Sequence, residues 1–240
     1  MVKYLIKISI IIPTLNEEKY ITKTLDSLKK QVLKDDEIIV IDSYSNDNTV
    51  KLAKKFGAKV YLTPRCGIGP AKTLGAIKSC NEYLAFLDAD GIPDEIWLKR
   101  IRTCFNDSNI DSVGGVDLYG SDSLILMILY NIYSLLVFIT GLLYYKMMGY
   151  PWMPWNNCAI KKQTFLERGG LRNVVCEDYD FAQRAKGIKT IYDIKMKVIL
   201  SDRRFRNEGF LKTLWIWVKS DYAILRNRNK IESTCYEIIR

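Results

Sequence analysis

Tyr83-Leu84-Ala85-Phe86-Leu87-Asp88-Ala89-Asp90-Gly91 joins an apolar run of strand length to two carboxylates at i and i+2. The run is apolar throughout, as in a strand buried on both faces. In an extended segment alternate residues share a face, so Asp88 and Asp90 are expected about 7 Å apart on one side. Gly91 lets the backbone turn, and Pro93 keeps a strand from continuing. Two acids beyond a strand's carboxyl end suit a hard divalent cation that also holds phosphate oxygens. Taken alone the tripeptide reads more simply as a solvated Asp-rich turn, so its meaning depends on its neighbours.

Upstream, strands and helices alternate. Ile8-Ser9-Ile10-Ile11-Ile12, closed by Pro13, has the pattern of a central buried strand. Asn16 is placed to cap a helix with Glu17 and Glu18 in its first turn and Ile21, Leu25 and Leu28 on one face. Glu37-Ile38-Ile39-Val40-Ile41 is a second strand, ending at Asp42. A polar loop over 43–48 then leads to a helix with Leu52, Ala53 and Phe56 that Gly57 stops. Lys59-Val60-Tyr61-Leu62 is a third strand, and a helix opened by Gly69-Pro70 returns the chain to Tyr83. This alternation predicts an α/β fold: a doubly wound, mostly parallel central sheet with helices on both faces and ligands beyond the strands' carboxyl ends. Asp42, Asp88 and Asp90 all fall at such ends.

At 240 residues the chain suits one domain. Its 36 basic and 27 acidic residues give a net charge of +9, which favours nucleotide phosphates, an anionic membrane surface or nucleic acid as partner. There is no histidine. Histidine triads, histidine metal ligands and imidazole bases are therefore excluded, and acid–base work falls to Asp, Glu, Lys, Tyr or Cys. Six cysteines without a C-x-x-C pair argue for reduced thiols in the cytoplasm rather than zinc or disulfide chemistry. Residues 1–7 lack the apolar core of a signal peptide.

Beyond a helix through Trp97, Leu98, Ile101 and Phe105 and a strand at Ser112-Val113-Gly114-Gly115-Val116, the chain changes character. Residues 123–145 carry no charge over 23 positions, a helix about 35 Å long. Asn131, Ser134, Thr140 and Gly141 interrupt this stretch, and Tyr144, Tyr145, Tyr150, Trp152 and Trp155 gather at its end as amphipathic rings do at an interface. One crossing would also separate two halves of a single domain. The readings, in order, are an interfacial or hairpin-like insertion, a buried core helix or helix pair, and a true span. Next come a short strand at Asn157-Cys158-Ala159-Ile160, a small helix to Gly169-Gly170, and a helix opened by Glu177-Asp178. Strands at Thr190-Ile191-Tyr192 and Lys197-Val198-Ile199-Leu200 follow, and last an amphipathic helix from about Gly209 to Arg226 that could pack on the domain or lie on anionic lipid.

The candidate chemistry forms one set. Glu17 and Asp42 are placed to accept hydrogen bonds from a nucleobase and ribose, though Glu17 alone is also a plain helix-dipole acid. Asp88 and Asp90 could hold ribose and a Mg²⁺ or Mn²⁺ ion clamping a diphosphate. A carboxylate of Glu177-Asp178, held at a helix start, is a fair general base, and otherwise a pair of helix-start acids. Ser201-Asp202-Arg203-Arg204-Phe205-Arg206 offers guanidinium forks for phosphate, or else a solvated basic loop.

The segments Ile10-Ile11-Ile12-Pro13-Thr14-Leu15-Asn16-Glu17-Glu18, Asp42-Ser43-Tyr44-Ser45-Asn46-Asp47-Asn48-Thr49, Asp88-Ala89-Asp90-Gly91 and Glu177-Asp178 occur in an order and spacing that resembles family 2 glycosyltransferases. The resemblance runs over about residues 7–210. It implies the GT-A fold and a nucleotide-diphospho-sugar donor, with Pro13, Asn16, Glu17 and Asp42 as nucleoside contacts and Asp42 near the base. It further implies Asp88 near ribose and metal, Asp90 as metal ligand, Asp178 as the base of inverting members with Glu177 beside it, and Asn157 on the acceptor side. Where processive members carry Gln-x-x-Arg-Trp, this chain has Arg203-Arg204-Phe205-Arg206, so the diphosphate arginine is expected at Arg204 or Arg206 and polymer synthesis is not expected. The apolar insert resembles short membrane-associated members acting on lipid-linked acceptors. The implied cofactor is Mg²⁺ or Mn²⁺. The implied partners are the donor, a lipid-linked or glycan acceptor and a membrane surface at its cytoplasmic face, without nucleic acid. In these terms 1–240 is a single domain: a nucleotide-sugar half (1–118), the insert (119–155), an acceptor and catalytic half (156–210) and a C-terminal amphipathic helix (211–240).

Two rivals fit parts of the pattern. A nucleotidyltransferase would use similar carboxylates but needs a Gly-rich basic loop where Pro13-Thr14-Leu15-Asn16-Glu17 is acidic. A non-catalytic membrane-surface or nucleic-acid-binding module would account for the net charge and the amphipathic C-terminus alone.

Overall fold

The computed structural model describes residues 6–174, 176–210, 212–213 and 215. The first half is a repeated strand–helix unit. β1 (Ile8–Thr14), α1 (Ile21–Leu28), β2 (Glu37–Asp42), α2 (Thr49–Phe56), β3 (Lys59–Leu62), α3 (Ile68–Lys78) and β4 (Tyr83–Leu87) follow in chain order. The second half comprises β5 (Ile92–Pro93), α4 (Trp97–Phe105), β6 (Ser112–Gly120), α5 (Leu124–Met148), β7 (Asn157–Lys161), α6 (Lys162–Glu167), α7 (Glu177–Arg184), β8 (Thr190–Ser201) and α8 (Arg203–Glu208). Among the described residues eight strands join one sheet in the order β3-β2-β1-β4-β7-β6-β8-β5. The pairs β1–β2, β1–β4, β2–β3 and β6–β8 are parallel, and β7 enters antiparallel between β4 and β6. The doubly wound, mostly parallel sheet expected from the sequence is present.

The β-branched run of β1 forms its centre because both faces are covered. Ile8, Ile10 and Ile12 pack with Leu25, Trp97 and Leu98 on one side, and Ile11 packs with Phe86, Phe165 and Phe181 on the other. Each such side chain contributes about 1.5–3 kcal/mol on burial. The parallel register then brings Thr14 beside Asp42 and aligns the strand ends along one edge.

Local departures from the expected elements have identifiable causes. Asn16 does not cap α1, which begins at Ile21 after Tyr20. Its backbone sits at φ 55°, its N–H donates to Ser45 Oγ, and its side-chain oxygen accepts from the Asn46 N–H, so it ties two loops together. Pro93 lies inside a strand, which is tolerated because β5 is a two-residue edge strand. The two strands expected around Asp193 are one, β8. The buried Asp193 that interrupts the apolar pattern is paired by Arg100 at 2.6 Å.

The apolar insert is one continuous helix, neither a hairpin nor a core helix. Along one face of α5 the Asn131 amide brackets the N–H and C=O of Tyr119, Ser134 Oγ donates to the Asp117 carbonyl, and Tyr145 donates to the Ile188 carbonyl. Gly141 on this face brings the helix against the Trp152 carbonyl, where a Cβ would sit at 3.0 Å. The opposite face is apolar and open: Ile125 is 72% exposed, Leu136 58% and Met147 79%. The helix is thus anchored to β6 and beyond along one face and bare on the other, and among the described residues it is the one helix long and apolar enough to cross a membrane. The amphipathic helix expected after Gly209 falls largely outside the described residues.

Candidate active site

The loops after β1 and β2 form one end of the site. Asp42 has no exposed surface: Oδ2 accepts from Thr14 Oγ1 at 2.8 Å and Ser45 Oγ at 2.6 Å, and Oδ1 accepts from the Ser45 N–H at 2.8 Å. Asp42, expected as a nucleoside contact near the base, thus has both carboxylate oxygens engaged inside the loop. The carboxylate shapes the loop, and Pro13 and Asn16 flank the half-buried ground it leaves. Asn16 and Tyr44 are both non-glycine residues with positive φ, a strained conformation that recurs at functional loops.

Glu17 accepts a fork from Arg203, Nη1 to Oε2 at 2.7 Å and Nη2 to Oε1 at 2.8 Å. The same guanidinium reaches Asp90 with Nε at 3.1 Å and lies over the Tyr20 ring. Of the three arginines, Arg203 contacts Glu17 and Asp90 directly, and Arg206 lines the adjoining cleft with it. Arg204 lies 3.8 Å from Glu208, and Arg206 pairs with Asp202 at 2.8 Å while lining an adjoining cleft of about 360 Å³ beside Asn16 and Asp47. Chain geometry decides which arginine it is. Arg203 is the first residue of α8 after β8, so it points back over the strand ends.

Asp88 and Asp90 do not share an extended face as expected. Beyond β4 the chain folds at once into a tight turn, Gly91 N–H donating to the Asp88 carbonyl at 3.0 Å, and the two acids diverge. Asp88 pairs with Lys72 Nζ at 2.8 Å, whereas Asp90 faces Arg203 and Glu17. Burial raises the Asp90 carboxyl to about 6; Arg203 holds it down, and Asp88 and Glu17 push it up. Charge at Asp90 is thus incompletely compensated by the protein, and the hard oxygen donors fit a divalent cation. Among the described residues no group of three His, Cys, Asp or Glu side chains is arranged for a metal. A cation here would draw its other oxygens from a diphosphate and water.

The other end of the site is a cavity of about 260 Å³ into which Asp88 also faces, together with Glu177, Asp178 and Asp117. α7 starts at Glu177 directly after Cys176, whose φ of 56° breaks the incoming chain and sets the two acids at the helix start. Trp152 Nε1 donates to Asp178 Oδ2 at 2.7 Å and the Tyr179 N–H to Oδ1 at 2.8 Å. Burial nevertheless raises Asp178 above the ordinary carboxylate range, and it raises Glu177 to about 7 with help from the Asp178 charge. Asp117 is pushed to about 7 by burial, partly offset by the amides of Asn156 and Asn157.

Asn157, expected on the acceptor side, is fully buried. It accepts from Trp97 Nε1 at 2.8 Å and donates to the Val116 and Met196 carbonyls. A bulge between Gly114 and Val116 makes this possible, because any Cβ on Gly115 would collide with that amide and with the Met196 carbonyl. The same bulge precedes Asp117, and the neighbouring Asn156 takes the cavity-lining place. Lys72, Asp117, Trp152 and Asn156 are thus the lining residues that sequence reasoning missed as parts of the site, and Arg203 was named there only within its cluster. The Gly-Gly bulge signal in front of Asp117 was available, but nothing in α3 marked Lys72.

A family model described as "Glycosyl transferase family 2" matches residues 9–169. The chain is 31% identical over 116 residues to the glycosyltransferase AglE of Haloferax volcanii, covering 45% of this chain and 38% of that one. It is 42% identical over 90 residues to 4,4'-diaponeurosporenoate glycosyltransferase of Staphylococcus haemolyticus, covering 35% of this chain and 24% of that one. The matches thus span well under half the length of these relatives. Among solved structures it superposes on a mannosyltransferase from Pyrobaculum calidifontis, in complex with GDP-Man and Mn²⁺, with a TM-score of 0.66 and 19% identity over 88% of this chain and 64% of that one. That likeness identifies the fold as GT-A. With the family model covering most of the chain, this protein belongs to glycosyl transferase family 2.

Proposed function

We propose that this chain transfers a sugar, with inversion, from a nucleoside-diphosphate sugar to a lipid-linked or other membrane-proximal acceptor. One observation carries the reading: Asp88, at the end of β4, and Glu177 and Asp178, about ninety positions later, line one cavity. The donor acid and the candidate base are therefore within reach of the same reacting centre.

Pro13, Asn16, Glu17 and the loop organised by Asp42 receive the nucleoside, Asp88 the ribose, and Arg203 the diphosphate. A Mg²⁺ or Mn²⁺ ion held by Asp90 with Asp88 would supply charge neutralisation for the departing diphosphate. Asp178, fixed by Trp152 and the Tyr179 N–H, takes the proton of an acceptor hydroxyl as its oxygen attacks the anomeric carbon. The bond from that carbon to the diphosphate breaks, and its electron pair leaves with the nucleotide. Burial beside Glu177 raises the proton affinity of this base. If the nucleophile is a phosphate, already ionised, Asp178 positions it instead.

The bare apolar face of α5 and the net charge of +9 support docking on an anionic membrane at its cytoplasmic face. Two measurements test the whole reading. A thermal-shift screen of UDP- and GDP-sugars with Mn²⁺ or Mg²⁺ should raise the melting temperature for one donor class; no shift with any of them rejects the donor assignment. Flotation with anionic vesicles should carry the protein upward, and a protein that stays at the bottom rejects the membrane assignment.

A further inference from the structure

The cavity that holds the catalytic acids has two chemically different halves. Its floor carries Asp88, Asp117, Glu177 and Asp178. Its wall is the inner face of α5, with Ser134, Val137, Phe138 and Gly141, faced by Tyr192. Among the described residues lining it, Lys72 is the one cation, and its ammonium is already engaged by Asp88 at 2.8 Å and the Trp155 carbonyl at 2.9 Å.

A phosphate-binding site presents guanidinium forks, ammonium groups or free backbone N–H groups. This floor presents acceptors. Asp117 Oδ1 is shut off from solvent and has no hydrogen-bond partner among the described residues. A hydroxyl can donate to it without adding charge, whereas a phosphate carries negative charge into a poorly solvated space already lined by four carboxyls. A cation arriving with the donor does not change this, because the donor's own diphosphate offsets it.

We infer that the acceptor presents a neutral hydroxyl rather than a phosphate, on an amphipathic molecule whose apolar part runs under α5, and that Asp117 accepts a hydrogen bond from its polar head. The inference rests on the glycosyltransferase reading and narrows it to one acceptor class. The reacting O–H loses its proton to Asp178, a carbon–oxygen bond forms at the anomeric centre, and the nucleoside diphosphate leaves with the electron pair of the bond that breaks.

The test pairs two acceptors with the same alkyl tail, an alkyl glycoside and the corresponding alkyl phosphate, with the wild-type chain, Mn²⁺ and whichever nucleotide sugar binds. Transfer to the glycoside at least tenfold faster than to the phosphate is expected. Asp117→Asn should raise the KM for the glycoside about tenfold with little change in the KM for the donor, a split that a purely structural role would not produce. Gly141→Leu, which fills the wall, should raise the KM for a long-tailed glycoside more than for a short-tailed one. Equal or faster transfer to the alkyl phosphate overturns the inference. So does donor binding without transfer to either acceptor, which leaves the donor assignment standing. Absence of any donor binding instead overturns the proposed function on which the inference rests.

Discussion

The two ends of the cleft handle acidic residues in opposite ways. At the donor end Glu17 and Asp90 are bridged by one guanidinium, Arg203, that arrives from almost two hundred residues away. At the acceptor end four carboxyls face a single ammonium that is already engaged, and Glu177 and Asp117 stay close to half-protonated at neutral pH. In the first arrangement one guanidinium offsets part of the acidic charge. The second keeps a base hungry for a proton. One sheet edge can serve both because the turn at Asp88–Gly91 sets Asp88 on Lys72 and Asp90 on Arg203 while their charges still interact.

If this division is right, the largest effect comes from the acceptor end. Asp178→Asn keeps the Trp152 contact geometry but cannot take a proton, so kcat should fall about 10²- to 10⁴-fold. Donor affinity by titration calorimetry should stay near that of the parent. Near-normal turnover with a hydroxyl acceptor would remove Asp178 as the base. At the donor end, Asp90→Ala should weaken nucleotide-sugar binding about 10- to 100-fold in the presence of Mn²⁺, the range expected for losing one charge-assisted contact. The same variant should show little further loss on adding chelator. A donor affinity that responds to chelator as the parent's does would take the cation away from Asp90.

pH separates the ends further. Glu177 is raised from 4.5 to about 7, chiefly by burial and then by Asp178, and Asp178 is raised in the same direction. The base must be ionised, so kcat/KM should rise with pH and lie about tenfold below its plateau one unit under the pair's apparent value. Stability runs the other way. A carboxyl whose folded-state pKa is raised binds a proton that the unfolded chain has released, so this contribution declines as pH rises from about 4.5 to 7. A rate profile that is flat from pH 5 to 8, measured with a non-titrating acceptor, contradicts the base assignment.

The strands, their parallel winding and the order of the acidic segments were legible in the sequence because β-branched runs, Gly stops and helix-start acids are local signals. What was not legible depends on pairs far apart in the chain. The engagement of Asp42 depends on Thr14 and Ser45 folding over it. Asn157 looked like an acceptor contact because the bulge that turns it inward lies on another strand, at Gly115. Lys72 sits mid-helix in α3 with no sequence signal beside it, and only the arrival of Asp88 and the Trp155 carbonyl gives its charge a purpose. Arg203 could not be told from its neighbours Arg204 and Arg206 without the direction in which α8 leaves the sheet.

Arg203 is also where the comparison of the two ends is tested most finely, because its substitution should act with opposite signs on two ligands. In the donor-free protein its guanidinium lies on Asp90 at 3.1 Å and grips Glu17 with both Nη atoms. Lysine keeps one charge but cannot fork, so Arg203→Lys should lower nucleoside-diphosphate affinity only a few-fold. Arg203→Ala should lower it more, while Mn²⁺ alone binds a few-fold more tightly, since the cation no longer competes with a guanidinium for Asp90. Titrating each variant with Mn²⁺ and then with UDP or GDP in its presence reads both signs. If Mn²⁺ alone binds more weakly to Arg203→Ala than to the parent, Arg203 helps build the cation site rather than standing in for the cation. The donor end would then be a preassembled charge cluster like the acceptor end, and the contrast between them would disappear.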